Sequence, residues 1–162
     1  FKASIISRKE SLGAVYGQPR EEVYTRNKER LLADIKVKLG GYAAEKKRFG
    51  TTSDGVAADF NGAMRLAHGM VWKVGMSDAG FVGDYSIIPE SQLSETVKEK
   101  LNIETQKIIK TCLKEVEELL DKEWKVVQRF VKELLEREEL EYDEIESIFK
   151  EYGKTHSYSK PA

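Results

Sequence analysis

The sequence predicts a mainly α fold, a helical bundle with a small N-terminal β hairpin or sheet edge, and three observations predict it. Apolar residues recur at helical spacing through most of the chain after about residue 25, with lysines and glutamates opposite them. A short β-branched run, Ala3-Ser4-Ile5-Ile6-Ser7, stands apart at the start and is followed by turn-forming residues. Hydrophobic residues make up 40% of the 162 positions and charged residues 34%, which gives a globular chain enough apolar mass for one core.

Taken in order, residues 3–7 are predicted as a strand and residues 12–18 as a second, giving a β element within 1–20. A lone hairpin is marginal in water, so it has to pack on helices. Over 25–48 the apolar stripe is Leu31, Leu32, Ile35, Leu39, Ala43 and Ala44. Gly40-Gly41 interrupts it; each glycine costs a helix about 1 kcal/mol relative to alanine, which predicts the close approach of another backbone there. Residues 50–55, G-T-T-S-D-G, are loop and cap formers. The helix expected after them, over 57–74, carries Phe60, Met64, Ala67, Met70, Val71 and Val74 on one side and ends near Gly75.

From 77 to 100, glycines and Pro89 replace periodicity, and residues 76–102 are assigned to a loop. Asn102 is the expected N-cap of the next helix, with Ile103, Ile108, Ile109, Cys112, Val116, Leu119 and Leu120 on its apolar side. Asp121 is expected to cap a further helix containing Trp124, Val127, Phe130, Val131, Leu134 and Leu135. A last helix over 142–152 ends at Gly153, completing helices over 103–153, and the tail 154–162 is expected to be flexible. The length fits a single domain over 1–162.

Composition excludes several function classes. With 27 basic and 28 acidic residues the net charge is -1, so no general field favours nucleic acid or an anionic membrane. No apolar run approaches the roughly 20 residues that cross a bilayer, so the segment itself is expected to be soluble and free of membrane contact. Cys112 is the only cysteine, which excludes an internal disulfide, fits a reducing, cytosolic compartment, and on an apolar helix face marks an inert core thiol. His68 and His156 have no metal-ligand spacing, and no phosphate-binding loop occurs. His68 is expected to be a partly buried structural histidine. The chain starts at Phe1 without an initiator methionine or a signal-peptide pattern, which predicts further sequence upstream.

Two carboxylates carry more information. Asp59 falls in the first turn of its helix, after the cap-rich loop and beside Phe60. The helix dipole alone favours a carboxylate there by about 0.3–1 kcal/mol, and the alternative is a metal ligand. Glu45 has the same two readings, a helix-surface glutamate or a carboxylate directed into a site by the glycine pair before it.

These residues together resemble a known pattern over nearly the whole chain. Lys2-Ala3-Ser4-Ile5-Ile6-Ser7-Arg8 followed by Leu12-Gly13 is similar to V-x-I-I-P-R-x-x-x-L-G, and Leu39-Gly40-Gly41-Tyr42-Ala43-Ala44-Glu45 with Phe49-Gly50 to L-G-G-R-x-A-E-E-x-x-F-G. Thr51-Thr52, Ala58-Asp59-Phe60, Ala63, Ala67, Met70 and Val71 resemble T-T-G-A-x-N-D-[IL]-x-x-A-T-x-x-A-R-x-M-V, and Gly75-Met76-Ser77 the end of W-G-M-S. The pattern is that of the peptidase domain of FtsH-type ATP-dependent zinc metalloproteases, lacking its H-E-x-x-H segment. This chain departs from it with Ala58 in place of Asn, and with Tyr42 and His68 in place of Arg.

The resemblance implies a zinc metalloendopeptidase of the AAA+ protease type. Asp59 would be the third zinc ligand, and Glu45 would stand behind the ligands and orient one of them. Two zinc-binding histidines and the general-base glutamate of H-E-x-x-H would lie upstream, so no catalytic residue is assigned within this chain and activity of this segment alone is not expected. It further implies an ATPase domain upstream as the only route to ATP, a homo-hexamer, and a place at the cytoplasmic face of a membrane. Unfolded or membrane proteins would be its substrates, in protein quality control. Ile5 and Ile6 are candidate substrate-binding residues, if extended peptide adds to the edge of the β element. The rival reading is a non-catalytic oligomerisation or regulatory module of a degenerate relative, in which Asp59 is only a helix-start carboxylate.

Overall fold

The computed structural model of the chain describes residues 2–7, 13–16 and 25–154. The expectations for the remaining positions, among them Arg8, Leu12, His156 and the tail 155–162, lie outside the described residues. Contacts divide the chain into two compact units, Val23–Asp121 on the one hand and Phe1–Glu22 with Lys122–Ala162 on the other. The long helix α3 (Glu95–Arg137) contributes residues to both.

In the first unit, α1 (Lys28–Phe49) begins where Asn27 accepts a hydrogen bond from the Arg30 N–H at 2.9 Å, which satisfies one of the orphan donors of the first turn. It ends at Gly50, whose φ of 71° places it in the left-handed region and whose N–H reaches the Lys46 carbonyl at 2.9 Å. Lys46, Lys47 and Arg48 crowd the last turn, where the helix dipole favours cations. Leu31, Ile35, Leu39 and Ala43 form the buried stripe, and α2 (Ala57–Trp72) packs against it with Ala63, Ala67 and Met70. Phe60, Met64 and Val74, expected on the same apolar side, are exposed instead. The small residues Ala63 and Ala67 take the contact side, so the two helices approach closely there.

The glycine pair does not do what its composition predicts. α1 runs through Gly40 and Gly41 without a break. A Cβ built at Gly40 meets nothing within 4 Å, and one built at Gly41 meets only the Asp59 Oδ2 at 4.0 Å. Among the described residues, no neighbouring backbone requires either glycine. Gly40→Ala is therefore expected to stabilise the protein by about 0.5–1 kcal/mol, through helix propensity and reduced unfolded-state entropy. Urea denaturation checks this, and destabilisation would reveal a contact at residue 40 in the assembled protein.

The loop assigned to 76–102 is too long, because α3 already starts at Glu95. Ser94 opens it, accepting from the Val97 N–H at 3.3 Å, and Lys98 pairs with Glu95 in the first turn. Asn102 is inside the helix, not its cap. The buried residues of this turn are Leu101 and Thr105, while Ile103 is 56% exposed. Thr105 tolerates burial by donating its hydroxyl to the Leu101 carbonyl at 2.9 Å. A polar residue on the buried side hides the early part of the apolar stripe from a periodicity count. Upstream, short 3-10 turns at Tyr85–Ile87 and Glu90–Gln92 occupy part of the expected loop.

α3 also continues through Asp121, so no second helix begins there. Asp121 pairs with Lys47, and Lys46 with Glu117 at 3.2 Å, so α1 and α3 are laced by exposed ion pairs of about 0–1 kcal/mol each. Cys112 and Val116 join the α1–α2 core from α3, whereas Leu119 is 57% exposed.

The second unit holds a three-stranded antiparallel sheet in the order β2-β1-β3, from β1 (Lys2–Ser4), β2 (Ala14–Tyr16) and β3 (Glu139–Leu140). β3 falls in a stretch expected to be helical. α3 terminates because Glu138 adopts a φ of 65°, and the chain then turns to pair Leu140 with Ala3. α4 (Tyr142–Glu151) follows, with a reciprocal capping box between Glu141 and Glu144. It closes at Gly153 (φ 67°), where Gly153 and Lys154 donate to the Lys150 and Phe149 carbonyls, a Schellman arrangement. Ala3, Leu140, Ile145 and Ile148 form this unit's core, with Phe130 and Phe149 edge-on at 5.1 Å. The fold is mainly α with a small sheet, as the sequence predicts.

Candidate functional site

Of the residues singled out in the sequence, Asp59, Gly41 and Glu45 lie along α1 and the start of α2, whereas Ile5 and Ile6 belong to the other unit. Asp59 is in the first turn of α2 and exposed. Its Oδ2 lies 4.0 Å from where a Cβ of Gly41 would be, so the carboxylate leans over a bare patch of α1. A Cβ at 41 would stand in ordinary van der Waals contact with that oxygen. Tyr42 packs its ring on Phe60, with centroids 4.8 Å apart, and fixes the residue next to Asp59. Three residues along α2, Gly62 leaves room for the aliphatic tail of Lys38, whose Cε lies 2.7 Å from where a Cβ would be.

Glu45 is one turn beyond Gly41 on α1. Rather than approaching Asp59, it accepts the Ser53 N–H at 2.8 Å and the Ser53 hydroxyl at 3.1 Å. It thus grips the loop that leads into α2. Ser53 is a residue the sequence reading did not single out; its eight-residue separation from Glu45 belongs to no helical or strand period. Within the described residues, the Asp59 carboxylate has no hydrogen bond or ion pair.

Zinc takes nitrogen, sulfur and carboxylate oxygen donors, usually three from protein at a catalytic site. Asp59 fits one such position: it is an accessible carboxylate with open space over Gly41. The described residues contain no group of three or more His, Cys, Asp or Glu residues placed to share an ion. The other donors of such a site have to come from outside them.

Ile5 and Ile6 are not at a sheet edge. They follow β1, which is the central strand, and they are partly exposed at 38% and 41%. The Ile5 N–H is bonded to the Glu138 carbonyl at 2.8 Å and the Ile6 N–H to the Ser4 hydroxyl at 3.2 Å. Strand addition along β1 is therefore closed, because β2 and β3 already pair with it. What Ile5 and Ile6 offer is apolar side-chain surface.

Cys112 is buried, with burial pushing its thiol pKa up, as an inert core cysteine should be. His68 stacks on Trp72, rings 4.8 Å apart and 10° from parallel. Burial, and secondarily the nearby Lys73 charge, lower its pKa, so folding favours the neutral imidazole. That contribution is complete above the unfolded histidine pKa of about 6.5 and is lost as pH falls through the lower folded value. Wild-type melting temperature is thus expected to drop more between pH 7.5 and 5.5 than that of His68→Gln. Equal drops by calorimetry would contradict this account of His68.

No helix of the described residues is long and apolar enough to cross a membrane. Fold and site together define a mainly helical domain that presents a carboxylate, unpaired among the described residues, at a helix start, over a glycine of the neighbouring helix. The family described as "Peptidase family M41" matches residues 1–148, and the chain belongs to that family. Among similar proteins, the ATP-dependent zinc metalloprotease FtsH of Borreliella burgdorferi is 31% identical over 160 residues, covering 91% of this chain and 25% of its own length. The protein of the same name from Pelodictyon phaeoclathratiforme is 36% identical, with 91% and 24% covered. That of Thermotoga maritima is 32% identical over 164 residues, with 93% and 27% covered. The chain spans about a quarter of the length of these curated relatives.

Proposed function

We propose that this domain is the part of a zinc metalloendopeptidase that supplies Asp59 as a metal ligand. The observation that carries the reading is the Asp59 carboxylate, free of partners among the described residues and held over Gly41, in a chain of peptidase family M41. Two histidines and a general-base glutamate complete the site from sequence outside this chain. Zinc, when bound, supplies Lewis acidity toward a peptide carbonyl and makes water a usable nucleophile at neutral pH.

The residues of this chain hold and orient. Asp59 brings a negative charge and an oxygen donor to the site from the end of a rigid helix. Tyr42 and Phe60 restrict the turn that carries it, and Glu45 fixes the loop before it. Ile5 and Ile6 give a small apolar surface against which an extended substrate can lie. By analogy with the relatives' printed names, ATP acts through another part of the protein. The substrates are unfolded or membrane proteins, and the working unit is a homo-hexamer.

The test is cleavage of an unfolded protein by the protein expressed with its native flanking sequence. Hydrolysis that requires ATP, stops with a chelator and returns with zinc is expected. Cleavage indifferent to chelator, or none with zinc and ATP present, would overturn the reading.

A further inference from the structure

We infer that Lys38 is a specificity-determining residue, whose ammonium favours a peptide carrying Asp or Glu one or two residues from the bond that is cut. This rests on the zinc-ligand reading of Asp59 given above. Two glycines make reciprocal notches along the seam of α1 and α2. Asp59 of α2 lies over Gly41 of α1, and Lys38 of α1 lies against Gly62 of α2. Each contact is three residues from the other along its own helix, in opposite directions, so the two helices run antiparallel here. Three residues of helix advance about 4.5 Å, which is the spacing of the two notches along the seam.

Lys38 is held in place without being neutralised. Its Cε, Cδ and Nζ lie 2.7, 2.8 and 2.9 Å from where a Cβ of Gly62 would be, so a side chain at 62 would displace the end of the lysine. The residue is half-buried, and its ammonium has no ion pair among the described residues. The acid one turn back on α1, Asp34, is engaged instead by Arg26 at 3.2 Å and Arg30 at 3.4 Å. Other lysines of α1 are matched from α3, Lys36 by Glu115 and Lys46 by Glu117. Arg65, one turn beyond Gly62 on α2, is exposed and adds a second cation with no ion pair among the described residues. In a chain of net charge -1, this unmatched positive charge is a local feature of the seam.

A cation with a confined stem is suited to receiving an anion. A lysine on open surface loses rotamer freedom when it forms an ion pair, and one whose stem is already held loses less. A peptide cut at a metal held by Asp59 passes this seam, and an extended chain advances about 3.3 Å per residue. A cation about 4.5 Å along the seam therefore meets a side chain one or two residues from the cut bond. A carboxylate there accepts charge-assisted hydrogen bonds from the ammonium, which a neutral amide of the same shape matches only weakly.

The experiment measures binding of short fluorescent peptides by anisotropy. The peptides are identical except for Glu, Gln or Lys, placed in turn at the first and second residues on either side of the bond that the wild-type enzyme cuts. The protein carries its native flanking sequence and is loaded with zinc, with the upstream general-base glutamate changed to glutamine so that bound peptide stays intact. With Lys38 present, the Glu peptide is expected to bind about 5-fold more tightly than the Gln peptide in at least one placement. The ratio should fall toward 1 as salt is raised. In Lys38→Met, which keeps an unbranched apolar stem, it should be near 1 at any salt. In Lys38→Glu the Lys peptide should become the preferred one, a reversal that a purely structural role would not produce. Zinc dissociation constants and melting temperatures, recorded for each variant and for Asp59→Asn, should be unchanged by the Lys38 substitutions.

The same Glu-to-Gln ratio with Lys38 and in Lys38→Met, alongside loss of zinc in Asp59→Asn, would overturn the inference and leave the ligand assignment intact. Weakened zinc in Lys38→Met with no change in that ratio would make Lys38 part of the support of the metal and also overturn it. Full zinc affinity in Asp59→Asn would overturn the ligand assignment, and this inference with it.

Discussion

Asp59→Asn is expected to weaken zinc binding by more than about 100-fold and to abolish chelator-sensitive proteolysis, with little change in the metal-free fold. The size follows from comparison: residues that merely orient a ligand are worth roughly 10–100-fold, and a ligand should exceed that. Asparagine keeps the shape but loses the charge, and a neutral amide oxygen is a poorer donor for a divalent cation. The fold should survive because Asp59 is exposed and has no hydrogen bond or ion pair among the described residues. The only structural loss expected is the interaction of its charge with the start of α2, about 0.3–1 kcal/mol. Asp54→Asn, at the preceding 3-10 turn, is the control and should leave zinc affinity unchanged.

The second large effect concerns the seam that presents the site. Leu39→Ala is expected to destabilise the protein by about 2–5 kcal/mol. Leu39 is fully buried in the cluster that joins α1 to α2, together with Ile35, Ala43, Ala63, Ala67 and Met70. Leu39 also precedes Gly40 and Gly41, so loosening it should displace the surface over which Asp59 lies. Val37→Ala, two residues away on the same helix, should cost within about 0.5 kcal/mol, because Val37 is 80% exposed. Urea unfolding of the two variants separates a packing effect from a propensity effect. A Leu39→Ala change below about 1 kcal/mol would mean the seam is not the core it is taken for.

Sequence and structure agree where the physics is local. Gly153 sits where capping chemistry needs it, and the spacing of Leu31, Ile35, Leu39 and Ala43 makes one helix face whatever surrounds it. Disagreements arise where a distant partner decides. The start of α3 is set by Ser94, but the buried Thr105 breaks the apolar period and shifts the apparent beginning to Asn102. Asp121 has the composition of a cap, yet an unbroken run of helix formers carries α3 through it. Glu139-Leu140 becomes a strand only because β1 is available to pair with it, which no local propensity encodes.

The candidate site divides in the same way. The position of Asp59 at a helix start is legible from the preceding loop formers, and its proposed role from the resemblance of L-G-G-Y-A-A-E and A-D-F to a family pattern. The partner of Glu45 is not legible, because an eight-residue reach across a loop leaves no periodic trace. Nor is the central place of β1, which closes the strand-addition route at Ile5 and Ile6. The glycine pair gave a correct location and an incorrect reason: what lies over Gly41 is a carboxylate, not a backbone.

The most direct test of the central claim is a crystal structure of the protein with its native flanking sequence, with anomalous diffraction measured at the zinc edge. An anomalous peak about 2.0–2.2 Å from an Asp59 carboxylate oxygen, completed by histidine nitrogens from outside this chain, is the predicted result. A zinc peak out of reach of Asp59, or none in protein purified with zinc present, would contradict it and leave the domain as an assembly module of the family.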